Sequence, residues 1–124
     1  MTVTGPRETI LIVEDERGPR ESLRLILKPA YDVLLATNGQ EALRALREHA
    51  IDLVTLDLNM PGVKGIEVLR ALKTESPSTE VVVITGFATV ESAVECIRHG
   101  VHDFITKPFN VVEVMATVER ALRK

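Results

Sequence analysis

The chain has no tryptophan, one tyrosine and three phenylalanines among 124 residues. A core built on aromatic rings is excluded, so burial must rest on Val, Leu, Ile and Ala. That aliphatic stock suits a parallel sheet wrapped by helices. Cys96 stands alone, which excludes an intrachain disulfide, and no Cys–His metal pattern surrounds it. It reads as a small, partly buried side chain on a helix. No apolar run approaches the roughly 18 residues of a membrane span. The opening MTVTGPRETI has neither a basic start nor a long apolar stretch. A soluble cytoplasmic protein is expected. No cluster of Lys or Arg stands out, and 15 basic against 18 acidic residues give a net charge of −3. Direct nucleic-acid binding by this segment is therefore not expected. The length fits one domain with a true hydrophobic core.

What is present is an alternation of strand-like and helix-like segments. Residues 1–8 are polar, carry Gly5–Pro6, and read as a flexible leader before a domain over 9–124. Strands are predicted at Thr9–Val13, Tyr31–Ala36, Ile51–Leu56, Glu80–Ile84 and His102–Thr106. Helices are predicted from about Pro19, after a cap at Thr37 or Asn38, at about Lys64–Lys73, at about Thr89–His99, and from near Asn110. The spacing assigns an inner face to each helix: Leu23, Ile26, Leu27 and Ala30; Ala42, Leu43 and Leu46; Ile66, Leu69 and Leu72; Val90, Ala93, Val94 and Ile97; Val111, Val114, Met115, Val118 and Leu122. Pro29 and Gly100 are placed to end helices, and Asn59-Met60-Pro61-Gly62 is a turn signal. Five strand–helix units imply a three-layer α/β sandwich with right-handed crossovers.

The predicted strand ends carry the chemistry. Glu14 and Asp15 follow the first strand, Asp57 the third, Thr85 the fourth and Lys107 the fifth. Ligands of open parallel sheets bind beyond the carboxyl ends of the strands, so these residues are placed to converge. Three converging carboxylates repel one another, and a hard cation such as Mg2+ relieves the repulsion. A nucleophilic carboxylate, a metal, an ammonium and a hydroxyl together equip the edge for phosphoryl transfer onto Asp57. The histidines, His49, His99 and His102, lie outside this set and read as structural or surface residues.

Val13-Glu14-Asp15, Asp57-Leu58-Asn59-Met60-Pro61-Gly62, Ile84-Thr85-Gly86 and Phe104-Ile105-Thr106-Lys107-Pro108-Phe109 occur in order and at family spacing. Over residues 9–123 the chain resembles the receiver domain of two-component response regulators. Thr85-Gly86-Phe87-Ala88-Thr89-Val90 resembles, more narrowly, receivers attached to transcription activators with an ATPase domain. The resemblance implies a flavodoxin-like, CheY-like (βα)5 fold with parallel strand order 2-1-3-4-5. It implies Asp57 as phosphoacceptor. It assigns Asp15, Asp57 and the Asn59 carbonyl to Mg2+, or to Mn2+ in its place, with Glu14 acting through water. Thr85 matches the switch hydroxyl and Lys107 the phosphoryl-binding amine, with a cis bond from Lys107 to Pro108. Phe104 stands where the family often has a switching tyrosine, so a ring is kept and a hydroxyl lost. Gly86 is expected to let the chain turn beside the phosphate.

The implied partners are a sensor histidine kinase or histidine phosphotransfer protein, an effector domain or protein, and a second copy of the chain. The fourth helix, fifth strand and fifth helix are the expected output surface, through Glu91, Glu95, Arg98 and Val112, with the first helix as rival. Three other functions compete. A metal-dependent aspartyl phosphatase or phosphotransferase would need a substrate pocket and a second acid–base group, and neither is evident. A flavodoxin-like cofactor binder would need a hydroxyl-rich phosphate loop after the first strand. A purely structural domain would leave the acid–Thr–Lys set idle.

Overall fold

The aliphatic runs at Thr9–Val13, Leu53–Leu56 and Glu80–Thr85 become strands that bury both of their faces, while the runs at either edge of the sheet bury less. The computed structural model describes residues 7–60, 64–86 and 89–123. In chain order the elements are β1 (Thr9–Val13), α1 (Arg17–Leu27), β2 (Asp32–Ala36), α2 (Gly39–Glu48), β3 (Leu53–Leu56), α3 (Gly65–Glu75), β4 (Glu80–Thr85), α4 (Val90–Arg98), β5 (Asp103–Thr106) and α5 (Val111–Leu122). The five strands are parallel and lie in the order β2-β1-β3-β4-β5. This is the order the resemblance implies.

The period-2 alternation of each strand sends neighbouring residues to opposite faces. Ile10, Ile12, Leu53, Val82, Ile84 and Ile105 meet Leu23 and Leu27 of α1 and Val114, Val118 and Ala121 of α5. Leu11, Val13, Val54, Leu56, Val81 and Val83 meet Ala42 of α2, Val68, Leu69 and Leu72 of α3, and Cys96 of α4. The sheet is thus covered on both sides, with helices α1 and α5 on one and α2, α3 and α4 on the other. Strand order reverses beside β1, which opens a crevice above the ends of β1 and β3.

Local chemistry fixes the helix ends. Asn38 and Asn110 accept hydrogen bonds from the backbone of Glu41 and Glu113, and Thr89 and Ser92 cap α4 reciprocally. Gly100, at φ +82°, ends α4 in the left-handed conformation that a glycine adopts without a Cβ clash.

Several sequence expectations need correction. Val90, Val94 and Ile97 do not face inward: they are 82%, 43% and 67% exposed, and Cys96 is the residue α4 buries. Periodicity had shown which residues share a face, not which way that face looks, and α4 covers the narrow end of the sheet. Val111 is likewise 56% exposed, while Thr117 and Ala121 are buried instead. Ala30 lies exposed beyond the end of α1, and Val68 joins the core from α3. Tyr31, Ile51, Asp52 and His102 fall just outside their strands.

Of the expected leader, residues 1–6 lie outside the described residues. Arg7 and Glu8 are fastened to the fold. The Arg7 guanidinium donates to the carbonyls of Lys28 and Tyr31, at 2.6 and 3.2 Å, and the Glu8 carbonyl accepts from Asp32 N. Pro61 and Gly62 of the turn signal, and Phe87 and Ala88 of the narrower resemblance, also lie outside the described residues.

Candidate phosphoacceptor site

Parallel strands deliver their last residues to one edge. Glu14 and Asp15 leave β1 there, Asp57 leaves β3, Thr85 closes β4, and Lys107 leaves β5. Lys107 ties the set together. Its amine lies 2.5 Å from Glu14 Oε1 and 3.0 Å from Asp57 Oδ2. Glu14 and Asp57 are almost wholly buried, at 1% and 3% exposure. Their remaining oxygens are also held: Glu14 Oε2 accepts from Glu16 N at 3.1 Å, and Asp57 Oδ1 accepts from Asn59 N at 2.9 Å.

Burial pushes the Glu14 carboxyl up to about 7, with the nearby Asp57 charge adding to the rise. The hydrogen bonds from Lys107 and from Glu16 N only partly offset it. For Lys107 burial works against the charged amine, but its hydrogen bonds to Glu14 and Asp57 outweigh that and hold it above its ordinary value. The site is therefore an acidic cluster in which Lys107 pairs directly with two of the carboxylates.

Carboxylate oxygens of Glu14, Asp15, Glu16 and Asp57 all lie within 4.8 Å of one another. Such a set can hold a divalent metal ion. Asp15 adds a second sign: its Oδ1 is buried and has no hydrogen-bond partner among the described residues. A buried carboxylate oxygen without a donor is costly unless a ligand completes it. Hard oxygen donors, excess negative charge and an orphaned oxygen fit a hard cation of the Mg2+ class.

Thr85 is fully buried at the end of β4, and its carbonyl accepts from Lys107 N at 3.0 Å. Gly86 lies against Lys107. A Cβ there would sit 3.8 Å from the lysine side chain, ordinary contact, so space alone does not require glycine. Phe104 is half-buried on β5, opposite Val83 in the register, and packs against the cluster below α2, α3 and α4. The bond from Lys107 to Pro108 is cis, as the resemblance implies. Glu91 and Arg98 are exposed on α4, Glu95 is half-exposed beside His99, and Val112 is 78% exposed at the start of α5. Arg120 on α5 pairs with Asp103 at 2.7 Å.

The sequence reading missed three contributors. Glu16 joins the acidic cluster; its signal was adjacency to Asp15. Arg20 donates from one nitrogen to the carbonyls of Glu14 and Asp15, at 3.2 and 3.0 Å. Gly65 lets α3 start against the strand-end loop, because a Cβ there would fall 2.3 Å from Leu58 Cα. The turn signal hinted at glycine's importance nearby, but not at this position.

The response regulator receiver domain family matches residues 10–119. The transcriptional regulatory protein ZraR of Klebsiella oxytoca is 36% identical over 121 residues, 97% of this chain and 27% of that protein. The chain thus spans about a quarter of that relative. A CheY-like response regulator receiver domain protein from Methanospirillum hungatei superposes with a TM-score of 0.90 at 26% identity, covering 94% of each chain. NtrX from Brucella abortus superposes with a TM-score of 0.88 at 35% identity, covering 94% of this chain and 27% of that one.

Proposed function

The chain belongs to the response regulator receiver domain family, whose members are regulatory phosphoacceptor modules, and on that premise we propose that Asp57 is the residue phosphorylated. The observation that carries this is Lys107 spanning Glu14 and Asp57 beside the orphaned oxygen of Asp15. The donor is a phosphohistidine on a sensor kinase or a histidine phosphotransfer protein. An Asp57 carboxylate oxygen attacks phosphorus; the O–P bond forms as the N–P bond breaks, and the histidine nitrogen leaves with that electron pair. A groove of about 460 Å3 lined by Pro19, Ser22, Lys107, Pro108 and Phe109 opens beside Lys107.

Asp15, Asp57 and the Asn59 carbonyl would hold Mg2+, with Glu14 acting through water and Mn2+ able to take its place. When bound, the ion supplies positive charge against the phosphoryl oxygens as they gain negative charge. Lys107 supplies the second positive charge by turning from Asp57 to a phosphoryl oxygen. The Thr85 hydroxyl then donates to another, Gly86 keeps the backbone close, and Phe104 follows the movement of β4 and β5. The readout is a changed surface on α4, β5 and α5, used by an effector or by a second copy of the chain. The likeness to ZraR and NtrX extends this reading to an ATPase-type transcription activator acting in the cytoplasm, with any DNA contact made by other segments. No helix among the described residues is long and apolar enough to cross a membrane. The diffusible-substrate phosphatase has no support beside the family identity.

Labelling with radioactive acetyl phosphate in Mg2+ tests the acceptor. Wild type should take up alkali-labile label, and Asp57→Asn should lose it while keeping its fold, because an amide is a poor nucleophile. Near-normal labelling of folded Asp57→Asn would move the acceptor elsewhere.

A further inference from the structure

Asp15 poses a mechanical question. Its Oδ1 is buried with no hydrogen-bond partner among the described residues, yet the carboxylate sits within 4.8 Å of the Glu14, Glu16 and Asp57 oxygens. Repulsion among these groups favours swinging it away. With no hydrogen bond among the described residues at that oxygen to resist the swing, the aim must come substantially from the backbone that carries the side chain.

That backbone is clamped from one side by Arg20. A single guanidinium nitrogen donates to both the Glu14 and the Asp15 carbonyl. The side chain is half-buried, and its own backbone N–H bonds to the Glu16 carbonyl at 3.1 Å as part of the first turn of α1. Arg20 therefore ties the turn between β1 and α1 to the helix that follows it. The Glu14 side chain fastens the same turn internally, through its bond to Glu16 N. An arginine suits this task because its planar fork loses little freedom per hydrogen bond formed.

We propose that Arg20 is a positioning residue for the divalent cation: it holds the Glu14–Asp15 turn so that the Asp15 carboxylate stays aimed at the cluster before the cation arrives. The proposal rests on the reading of this cluster as the site that serves Asp57. It gives Arg20 a role without direct contact to metal or phosphate. Partners that orient metal ligands typically matter about 10- to 100-fold in affinity.

The sign of the effect separates this role from simple electrostatics. A guanidinium near four carboxylates repels an incoming cation, so loss of its charge alone tightens binding. Loss of the clamp weakens it. Arg20→Gln removes the charge and shortens the reach; Arg20→Lys keeps the charge and a donor nitrogen but loses the planar fork. Mg2+ titrations by calorimetry, with metal-free thermal unfolding alongside, read the two effects on folded protein.

Arg20→Gln should bind Mg2+ about tenfold more weakly, with Arg20→Lys between it and wild type. Both should label from acetyl phosphate near the wild-type rate once Mg2+ is saturating, because the defect lies in holding the ion and not in Asp57. Equal or tighter Mg2+ binding by folded Arg20→Gln overturns the clamp, as does a labelling rate that stays low at saturating Mg2+. If Gln does not fold, wild-type affinity in Arg20→Lys with both carbonyl bonds lost, seen by carbonyl chemical shifts, overturns it equally. Failure of wild type itself to bind Mg2+ would instead reject the underlying site.

Discussion

With Glu14 buried and only Lys107 and one backbone N–H to replace water, its proton is held more tightly in the fold than in the open chain. Burial lifts its carboxyl from 4.5 to about 7. A group whose proton affinity rises on folding contributes stability that is complete below the unfolded value and lost as pH passes through the folded one. For Glu14 that loss runs from 4.5 up through about 7. Glu14→Gln has no proton to lose there. Without metal, the melting temperature of Glu14→Gln should therefore rise relative to wild type as pH increases from about 5 to about 8. Saturating Mg2+ should raise wild type at the upper end, since a cation bound to the fold stabilises it by mass action. A flat difference across that range would mean that burial does not govern Glu14. The acids themselves were legible in the sequence because a parallel sheet sends strand ends to one edge. Arg20 was not, since an arginine one turn into a helix reads the same whether it meets water or a carbonyl. Lys107 was legible as a charge at the edge, but its simultaneous hold on Glu14 and Asp57 is a fact of three dimensions.

Among the elements, α4 departs furthest from its sequence. Its apolar residues were correctly grouped by the helical period, yet Val90, Val94 and Ile97 look outward and Cys96 takes the interior. A central helix must cover the sheet with its apolar stripe; one over the short end strand β5 has less to cover. Burial also raises the Cys96 thiol, with the Glu95 charge adding to it, so the group sits there as a small neutral side chain. Cys96→Ser should cost about 1–3 kcal/mol by placing a hydroxyl in an apolar contact. Ile97→Ser, one residue on, should change stability by about 0.5 kcal/mol or less. Urea unfolding of the two variants measures both, and the reverse ranking would restore the face that the periodicity proposed. The start of α3 gives a sharper constraint. A methyl group at Gly65 would meet the Leu58 backbone at 2.3 to 2.9 Å, where backbone must give way. Leu58 follows Asp57, so Gly65→Ala should both destabilise, by about 1–3 kcal/mol, and slow labelling of Asp57. Wild-type stability and labelling together would show that the loop absorbs the methyl freely. Nothing in the sequence marks this contact, because Leu58 and Gly65 become neighbours only when α3 folds back over the end of β3.

At the scale of the molecule, the strand order places the chemical edge and the apolar surplus close together. Thr85 ends β4 at the phosphoacceptor site, and α4 begins five residues later at Val90. Phe104 lies on β5, paired with β4 through Val83. A shift of Thr85 toward a phosphoryl group is therefore felt first by α4 and β5. These are also where unpartnered apolar surface gathers: Val90, Val94 and Ile97 on α4, and Val111 and Val112 at the start of α5. Single exposed aliphatic residues are ordinary, but several on one helix are the composition of a contact surface. The rival, α1, exposes Leu25 among largely polar or charged neighbours. Phosphorylation need only favour one of two arrangements of α4 for the surface to change. Backbone amide shifts on adding beryllofluoride and Mg2+ should accordingly concentrate on α4, β5 and α5. Val112→Asp introduces a charge into that surface, and Arg98→Glu inverts one beside Glu95. Both should weaken activated self-association or effector binding while leaving labelling of Asp57 intact, because neither residue lies in the site. Shifts confined to α1, with both variants associating normally, would place the output on the opposite end of the sheet and leave the apolar face of α4 without a role in signalling.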